Sequence, residues 1–352
     1  MMPLERADFL ESTYITTTDA FADVTQTTTK TTTSTAEEPL STVAASCNES
    51  TNNRNKTTPT PNSDENSHLP QVVRRADGGY LIKSAVLGEG AYSRVYRAYD
   101  SSRNRTVALK TVDIDTAPAA IVRLFLPREI RIYRTLDHAN IAKLYDAFLI
   151  GRKLYLVEEL AAVGAIIDYF PFSESQAKLI IRQLIEAIRY LHCLKIVHRD
   201  IKSENVLLDL YGNVKLIDFT FSRRYTREEK LRTKCGSRPY MAPEILANKR
   251  YHASPVDWWA VGVCLYMMCE NRFPFLSDQQ TQQLLANGMR PELVYHDERS
   301  DEFRQLTDAL LNCDPIERYC YQSTRLSPWL ATTEYSLSTT RIDLAAQYHH
   351  RG

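Results

Sequence analysis

The string His198-Arg199-Asp200-Ile201-Lys202-Ser203-Glu204-Asn205 constrains this chain more than any other stretch, because it sets a carboxylate, a cation and an amide within six residues. The segments on either side are apolar and regular. Before it, Ala177, Ile180, Ile181, Leu184, Ile185, Ile188 and Leu191 recur every three or four residues, which predicts one face of a long helix. Ser173 with Gln176 has the spacing of a capping box at its start. After the string, Val206-Leu207-Leu208 and Val214-Lys215-Leu216-Ile217 read as short strands around the turn Tyr211-Gly212-Asn213. Asp218-Phe219 then adds a second carboxylate.

The rest of the 352 residues falls into one folded unit of roughly 250 residues with a tail at each end, enough for a substantial core. Residues 1–75 carry Thr27-Thr28-Thr29-Lys30-Thr31-Thr32-Thr33 and Asn52-Asn53-Arg54-Asn55-Lys56, with Pro59, Pro61 and Pro70 interrupting the remainder. Such a segment cannot bury enough surface to offset its chain entropy, so it is expected to be disordered, with many hydroxyls open to phosphorylation. Order is expected from about Tyr80. Strands are predicted over 80–87, 95–99 and 106–112, the first two joined by Gly88-Glu89-Gly90-Ala91-Tyr92-Ser93. A helical segment near 128–136 and strands near 141–148 and 154–158 complete a small strand-rich lobe. The second half is mainly helical. Val256–Cys269 is apolar nearly all round, as a helix in the middle of a lobe should be. The chain after about Leu330 is a polar tail, and no internal repeat is evident.

Bulk properties exclude several classes. Lys plus Arg equals Asp plus Glu at 43 each, so the charge balance points to neither nucleic acid nor an anionic membrane. None of the seven cysteines forms a Cys-x-x-Cys pair or a zinc spacing, which fits a reducing compartment, and Cys264 and Cys269 read as core. The N-terminus lacks a basic region followed by an apolar core, and no run approaches the ~18 apolar residues of a spanning helix. The expectation is a soluble protein of the cytoplasm, with the nucleus as the alternative.

The polar string suits one chemistry well, transfer of a phosphoryl group from a magnesium-bound nucleotide to a hydroxyl. Asp200 can orient the hydroxyl and take its proton. Lys202 can steady the moving phosphate. Asn205 and Asp218 offer oxygen ligands to Mg²⁺, a hard cation.

With these motifs in their order, the chain resembles a eukaryotic protein kinase over roughly 80–330. The resemblance implies an α+β bilobal fold, with a small N-lobe (80–158) of antiparallel sheet plus one helix and a larger helical C-lobe (162–330), followed by a C-terminal tail (331–352). It implies ATP as co-substrate and Mg²⁺ as cofactor. Leu87, Gly88, Gly90, Val95, Ala108, Glu159, Ala161 and Leu207 would line the nucleotide. Lys110, in Val107-Ala108-Leu109-Lys110, would grip its phosphates, and Glu129 would pair with Lys110. Leu126, Ile130 and Tyr133 put Glu129 on an inward helical face. His198 and Phe219 would pack, and Arg199 would clamp a phosphate on the activation segment. Glu244 of Met241-Ala242-Pro243-Glu244 would pair with Arg318, and Asp257 would hold the catalytic loop from behind.

A lysine two residues after Asp200 resembles the Ser/Thr-directed branch. Leu231-Arg232-Thr233-Lys234-Cys235-Gly236-Ser237 is similar to the calcium/calmodulin- and AMP-activated kinase group, where Thr233 stands at the phosphorylated position. Phe125-Leu126-Pro127-Arg128-Glu129 and Cys235-Gly236-Ser237 most resemble the testis-specific serine/threonine kinases, which implies a role in spermatogenesis. Protein substrates and an upstream activating kinase are the implied partners.

Four residues depart from the pattern. Ser93 replaces the third glycine of the loop. Glu158 stands at the usual apolar gatekeeper, where a carboxylate is expected to be half-buried and to need a partner or a raised pKa. Ala165 replaces an acidic residue. Thr220 follows Asp218-Phe219 where the family has glycine, and about 1–3 kcal/mol of strain is expected if that position needs φ > 0. Thr220→Gly is then expected to preserve or raise activity. These departures favour the alternative reading, a pseudokinase or scaffold that keeps the fold with little catalysis.

Overall fold

The computed structural model describes residues 71–276 and 278–341. The stretches 1–70 and 342–352 lie outside them, and so does most of the N-terminal tail expected to be disordered. The chain forms two compact units. The first comprises residues up to Pro127 together with Leu144–Leu160, and the second Arg128–Lys143 with everything from Ala161 onward.

The first unit is a six-stranded antiparallel sheet. Its strands are β1 (Val72–Arg74), β2 (Tyr80–Glu89), β3 (Ser93–Asp100), β4 (Arg105–Asp113), β5 (Leu144–Ile150) and β6 (Lys153–Glu159), in the order β1-β2-β3-β4-β6-β5. Alternation along the strands separates two faces. One face packs Val73, Leu81, Ala98, Val107, Leu109, Tyr155 and Val157 into a core, with Tyr96, Tyr145 and Phe148 against it. The fully buried Asp100 shares that face and is paired by Arg103 at 2.8 Å and Arg75 at 3.6 Å. Arg75 also pairs with Asp146 and lies over the Phe148 ring.

Strand β1 corrects the expectation that order begins near Tyr80. Val72 pairs with Ile82 and Arg74 with Tyr80. Three residues carry no readable period, and tertiary pairing with β2 makes them a strand. A π-helical turn, Ile121–Phe125, precedes helix α1 (Leu126–Tyr133).

The second unit is mainly helical. Helix α2 (Glu174–Cys193) starts at the reciprocal Ser173–Gln176 capping box. Helix α3 (Ala253–Glu270) is buried along nearly its whole length, which is why its sequence is apolar all round. Helices α4 (Gln279–Ala286), α5 (Asp301–Leu310) and α6 (Tyr321–Arg325) follow. At Gly262 a β-carbon would stand 2.8 Å from Leu310 Cβ, so glycine lets α3 approach the end of α5 closely. Glu174 accepts bonds from Ser300 N at 2.8 Å, Ser300 Oγ at 2.7 Å and Trp329 Nε1 at 2.7 Å. These bonds outweigh its burial and hold its pKa below the ordinary carboxylate value.

Short strands complete this unit: β7 (Gly164–Ala165), β8 (Ile196–Val197), β9 (Val206–Leu208), β10 (Val214–Leu216) and β11 (Arg223–Arg224). They form the ladders β10-β9-β7 and β11-β8. The first part of the C-terminal tail bonds to this framework. Arg182 Nε donates to Thr333 O, Gln183 Nε2 to Ser336 O, Asn213 Nδ2 to Ser338 O and Tyr335 Oη to Asn140 Oδ1, at 2.8–3.1 Å.

Candidate active site

The polar string runs from the end of β8 to the start of β9, and its backbone is fastened to helix α3. Asp257, fully buried, accepts the backbone N–H groups of His198 at 3.0 Å and Arg199 at 2.9 Å. It also pairs with His192 Nε2 at 2.8 Å. Burial opposes the charge of Asp257, but these bonds outweigh it and depress its pKa. Arg199 consequently sits at φ 66°, a left-handed conformation that an unfastened arginine rarely adopts. His198 accepts at Nδ1 from Asp200 N (3.3 Å), which leaves Nε2–H to donate to Ile217 O (3.1 Å).

Both oxygens of Asp200 are oriented by donors. Oδ1 accepts from Ser237 N at 2.7 Å and Ser237 Oγ at 2.8 Å. Oδ2 faces Lys202 Nζ at 3.1 Å and Asn205 Nδ2 at 3.2 Å. Lys202 Nζ also donates to Ser237 Oγ at 2.9 Å. Burial works against the Lys202 charge, but Asp200, Asp218 and Glu204 more than offset it, so its pKa is raised. The outcome is a fixed carboxylate beside a persistent cation. Glu204 is exposed, and its Oε2 accepts from Tyr240 Oη at 2.9 Å.

The Asn205 amide nitrogen also donates to Asp200 O at 2.9 Å, which turns the amide oxygen the opposite way. Asn205 and Asp218 thus offer one carbonyl and one carboxylate oxygen. Mg²⁺ takes such a donor set with phosphate and water completing its shell. Among the described residues no group of three or more His, Cys, Asp or Glu side chains could hold a metal by itself.

Asp218 is the residue with unusual backbone here, at φ 63°. Thr220 is not among the positive-φ residues, so the strain anticipated for a non-glycine at 220 does not arise there. Its hydroxyl lies 2.7 Å from Asp218 Oδ1 and 2.9 Å from Glu129 Oε2. Glu129, on α1, is fully buried. Between these residues Phe219 packs at a tilt against Tyr133 of α1 (centroids 4.7 Å apart) and edge-to-face against His198 (4.9 Å).

In the first unit the nucleotide candidates share the sheet face opposite the core. Gly88 pairs with Val95, Val95 with Lys110 and Lys110 with Leu156, while Ala108 pairs with Glu158. A side-chain period of two places Val95, Ala108, Lys110 and Glu158 on that one face. Leu87 is half exposed, at 50 %. Glu159 ends β6, Ala161 follows in the second unit, and Leu207 pairs with Ala165 across β9 and β7. Ser93 takes the place of a third glycine at the start of β3, and its carbonyl accepts from Gly90 N at 2.7 Å. Glu158 is 7 % exposed, so it is buried and not half-buried as expected. Pairing on both sides, with Ala108 and Leu144, explains the depth.

The segment from Leu231 to Ser237 lies against the polar string. A β-carbon at Gly236 (φ 106°) would stand 2.4 Å from the Arg199 carbonyl oxygen, so only glycine allows the two chain segments to cross there. Tyr251 Oη donates to Thr233 O at 2.7 Å and lies 3.4 Å from Arg199 Nη1. Arg199 Nη2 is buried with no hydrogen-bond partner. Arg128 is held below the ordinary guanidinium pKa first by burial, then by repulsion from Arg199 and Arg223. Further along, Arg318 forks onto Glu244, with Nη1–Oε1 2.7 Å and Nη2–Oε2 2.9 Å.

Sequence reasoning overlooked Ser237 as the group orienting Asp200 and the Thr220 hydroxyl as a bridge between Asp218 and Glu129. A serine 37 positions from Asp200 carries no local signal of that contact.

A family model described as the protein kinase domain matches residues 81–330, and the chain belongs to the protein kinase family. Three curated relatives are named as serine/threonine kinases. Testis-specific serine/threonine-protein kinase 5 of Mus musculus is 35% identical over 305 residues, covering 79% of this chain and 82% of that one. Testis-specific serine/threonine-protein kinase 3 of Mus musculus is 38% identical over 262 residues, covering 72% and 97%. The probable serine/threonine-protein kinase MARK-A of Dictyostelium discoideum is 34% identical over 276 residues, 76% of this chain and 25% of its own length. The two units described above accordingly form the α+β kinase fold, and the chain is a serine/threonine protein kinase.

Proposed function

We propose that this kinase is catalytically active and transfers the γ-phosphoryl group of Mg-ATP to serine or threonine hydroxyls of protein substrates. The observation that carries the reading is Asp200, whose two carboxylate oxygens are held by Ser237, Lys202 and Asn205. A carboxylate fixed this way can accept a hydrogen bond from a substrate hydroxyl and take its proton at Oδ2. Lys202 lies beside it as a cation for the group in flight. Asn205 and Asp218 would hold Mg²⁺, which when bound neutralises phosphate charge. Lys110 on the sheet face of the first unit would bind the nucleotide's phosphates. The face bearing Val95 and Ala108, with Leu87, Gly88, Gly90 and Glu159, would hold the nucleotide.

Phosphorylation of Thr233 by an upstream kinase is the proposed control. The phosphate would be received by Arg199, whose buried Nη2 has no hydrogen-bond partner and whose neighbour Tyr251 anchors the Thr233 carbonyl. The exposed carboxylate of Glu204 supports a preference for basic residues in the substrate. The names of the mouse relatives support a role in spermatogenesis, and the kinase would act in the cytoplasm.

The test is transfer of labelled phosphate from Mg-ATP to a generic basic protein, with Asp200→Asn as control. Wild type should transfer, and the variant should be slower by about 10²–10⁴-fold. No transfer by either protein, together with no Mg-ATP thermal shift, would sink the reading in favour of the scaffold alternative, which the buried Glu158 favours.

A further inference from the structure

The Thr220 hydroxyl is placed where a glycine would leave no side-chain contact. It lies 2.7 Å from Asp218 Oδ1 and 2.9 Å from Glu129 Oε2, at a residue only 6 % exposed. Its one proton is shared between the two carboxylates as a three-centre bond, with the shorter arm to Asp218. Asp218 stands in the left-handed region at φ 63°, which costs a non-glycine residue on the order of 1 kcal/mol and must be held by its surroundings. Helix α1 meets the same three residues at a second point, Tyr133 on Phe219. Glu129 and Tyr133 are four positions apart, one turn of one helix face, so α1 touches the Asp218-Phe219-Thr220 segment twice in register.

We infer that Thr220 is a positioning residue: its hydroxyl latches the metal-binding carboxylate Asp218 to Glu129 of helix α1, so that the two carboxylates move together. Valine at this position keeps the volume and the β-branch but sets a methyl against both carboxylates. Serine keeps the hydroxyl. Glycine keeps neither and frees the backbone, so Thr220→Gly is now expected to lower activity, the reverse of the expectation from sequence.

The proposal rests on Asp218 being a metal ligand, and the test separates the two ideas. Hydrogen exchange is measured on the nucleotide-free full chain for wild type, Thr220→Val and Thr220→Ser. Exchange in the 128–133 and 218–222 segments should rise together by about tenfold in the valine variant and stay within about twofold of wild type in the serine variant, with α3 unchanged in both. The magnesium concentration for half-maximal binding of a fluorescent ATP analogue should rise about tenfold for valine, with binding in EDTA unchanged. Equal behaviour of valine and wild type, equal loss in serine and valine, or faster exchange throughout α3 would each overturn the latch. If wild type binds no magnesium-nucleotide, the catalytic reading fails, while the exchange pattern still decides the latch.

Discussion

Thr233 illustrates how far single residues can be read. It is partly exposed, and its carbonyl is fixed by Tyr251 Oη at 2.7 Å, so its backbone is anchored while its side chain is open to modification. Phosphate there would give the buried, unpartnered Arg199 Nη2 an acceptor. Thr233→Ala should therefore lower phosphotransfer after treatment with an activating kinase by about tenfold, a loss in line with one to three new charge-assisted bonds. Unchanged activity in the same labelled-phosphate assay would remove the switch. Thr233, Arg199 and Asp200 could be singled out because their motifs are contiguous strings. Ser237 was not, because its contact with Asp200 spans 37 residues and depends on the chain crossing at Gly236. Thr220 was legible as a departure but not in its effect. Its cost depended on a φ value that only the fold supplies, and the fold put the unusual φ on Asp218.

At the scale of elements, the long amphipathic α2 and the uniformly apolar α3 announced themselves by period and composition. Strand β1 and the π-helical turn 121–125 did not, since both are short and take their conformation from neighbours. Helix α3 also organises the polar string through Asp257, and this connection has a pH signature. The Asp257 carboxyl is held below its ordinary value of 3.8 in the folded protein. A depressed acid contributes stability that is complete above the unfolded pKa and is lost as pH falls through the folded pKa. Asp257→Asn should cost about 3 kcal/mol at neutral pH, and the difference from wild type should shrink as pH drops below about 4. Denaturant unfolding at several pH values checks this. A difference that stays constant down to pH 2, or grows in acid, would contradict it.

For the whole molecule, the C-terminal stretch that looked like a featureless tail proves to be tied in. Asn140, Arg182, Gln183 and Asn213 bond to residues 333–338, across separations of 125 to 195 positions. Asn140 also binds Gln183 Oε1 at 2.9 Å and Val214 O at 3.0 Å, so the strap closes on a network that already supports β10. Ending the chain after Thr332 should lower stability by about 2 kcal/mol, seen as a lower denaturant midpoint. An unchanged midpoint would show the strap to be idle. No helix among the described residues is long and apolar enough to cross a membrane. The crossing at Gly236 has a consequence of another kind. The space denied to a methyl group there is held by the Arg199 backbone, with Asp200 Oδ1 3.7 Å away. Missense alleles at codon 236 are thus expected to push the Asp200 loop out of register, an inherited lesion in catalysis that no change at the catalytic residues would reveal.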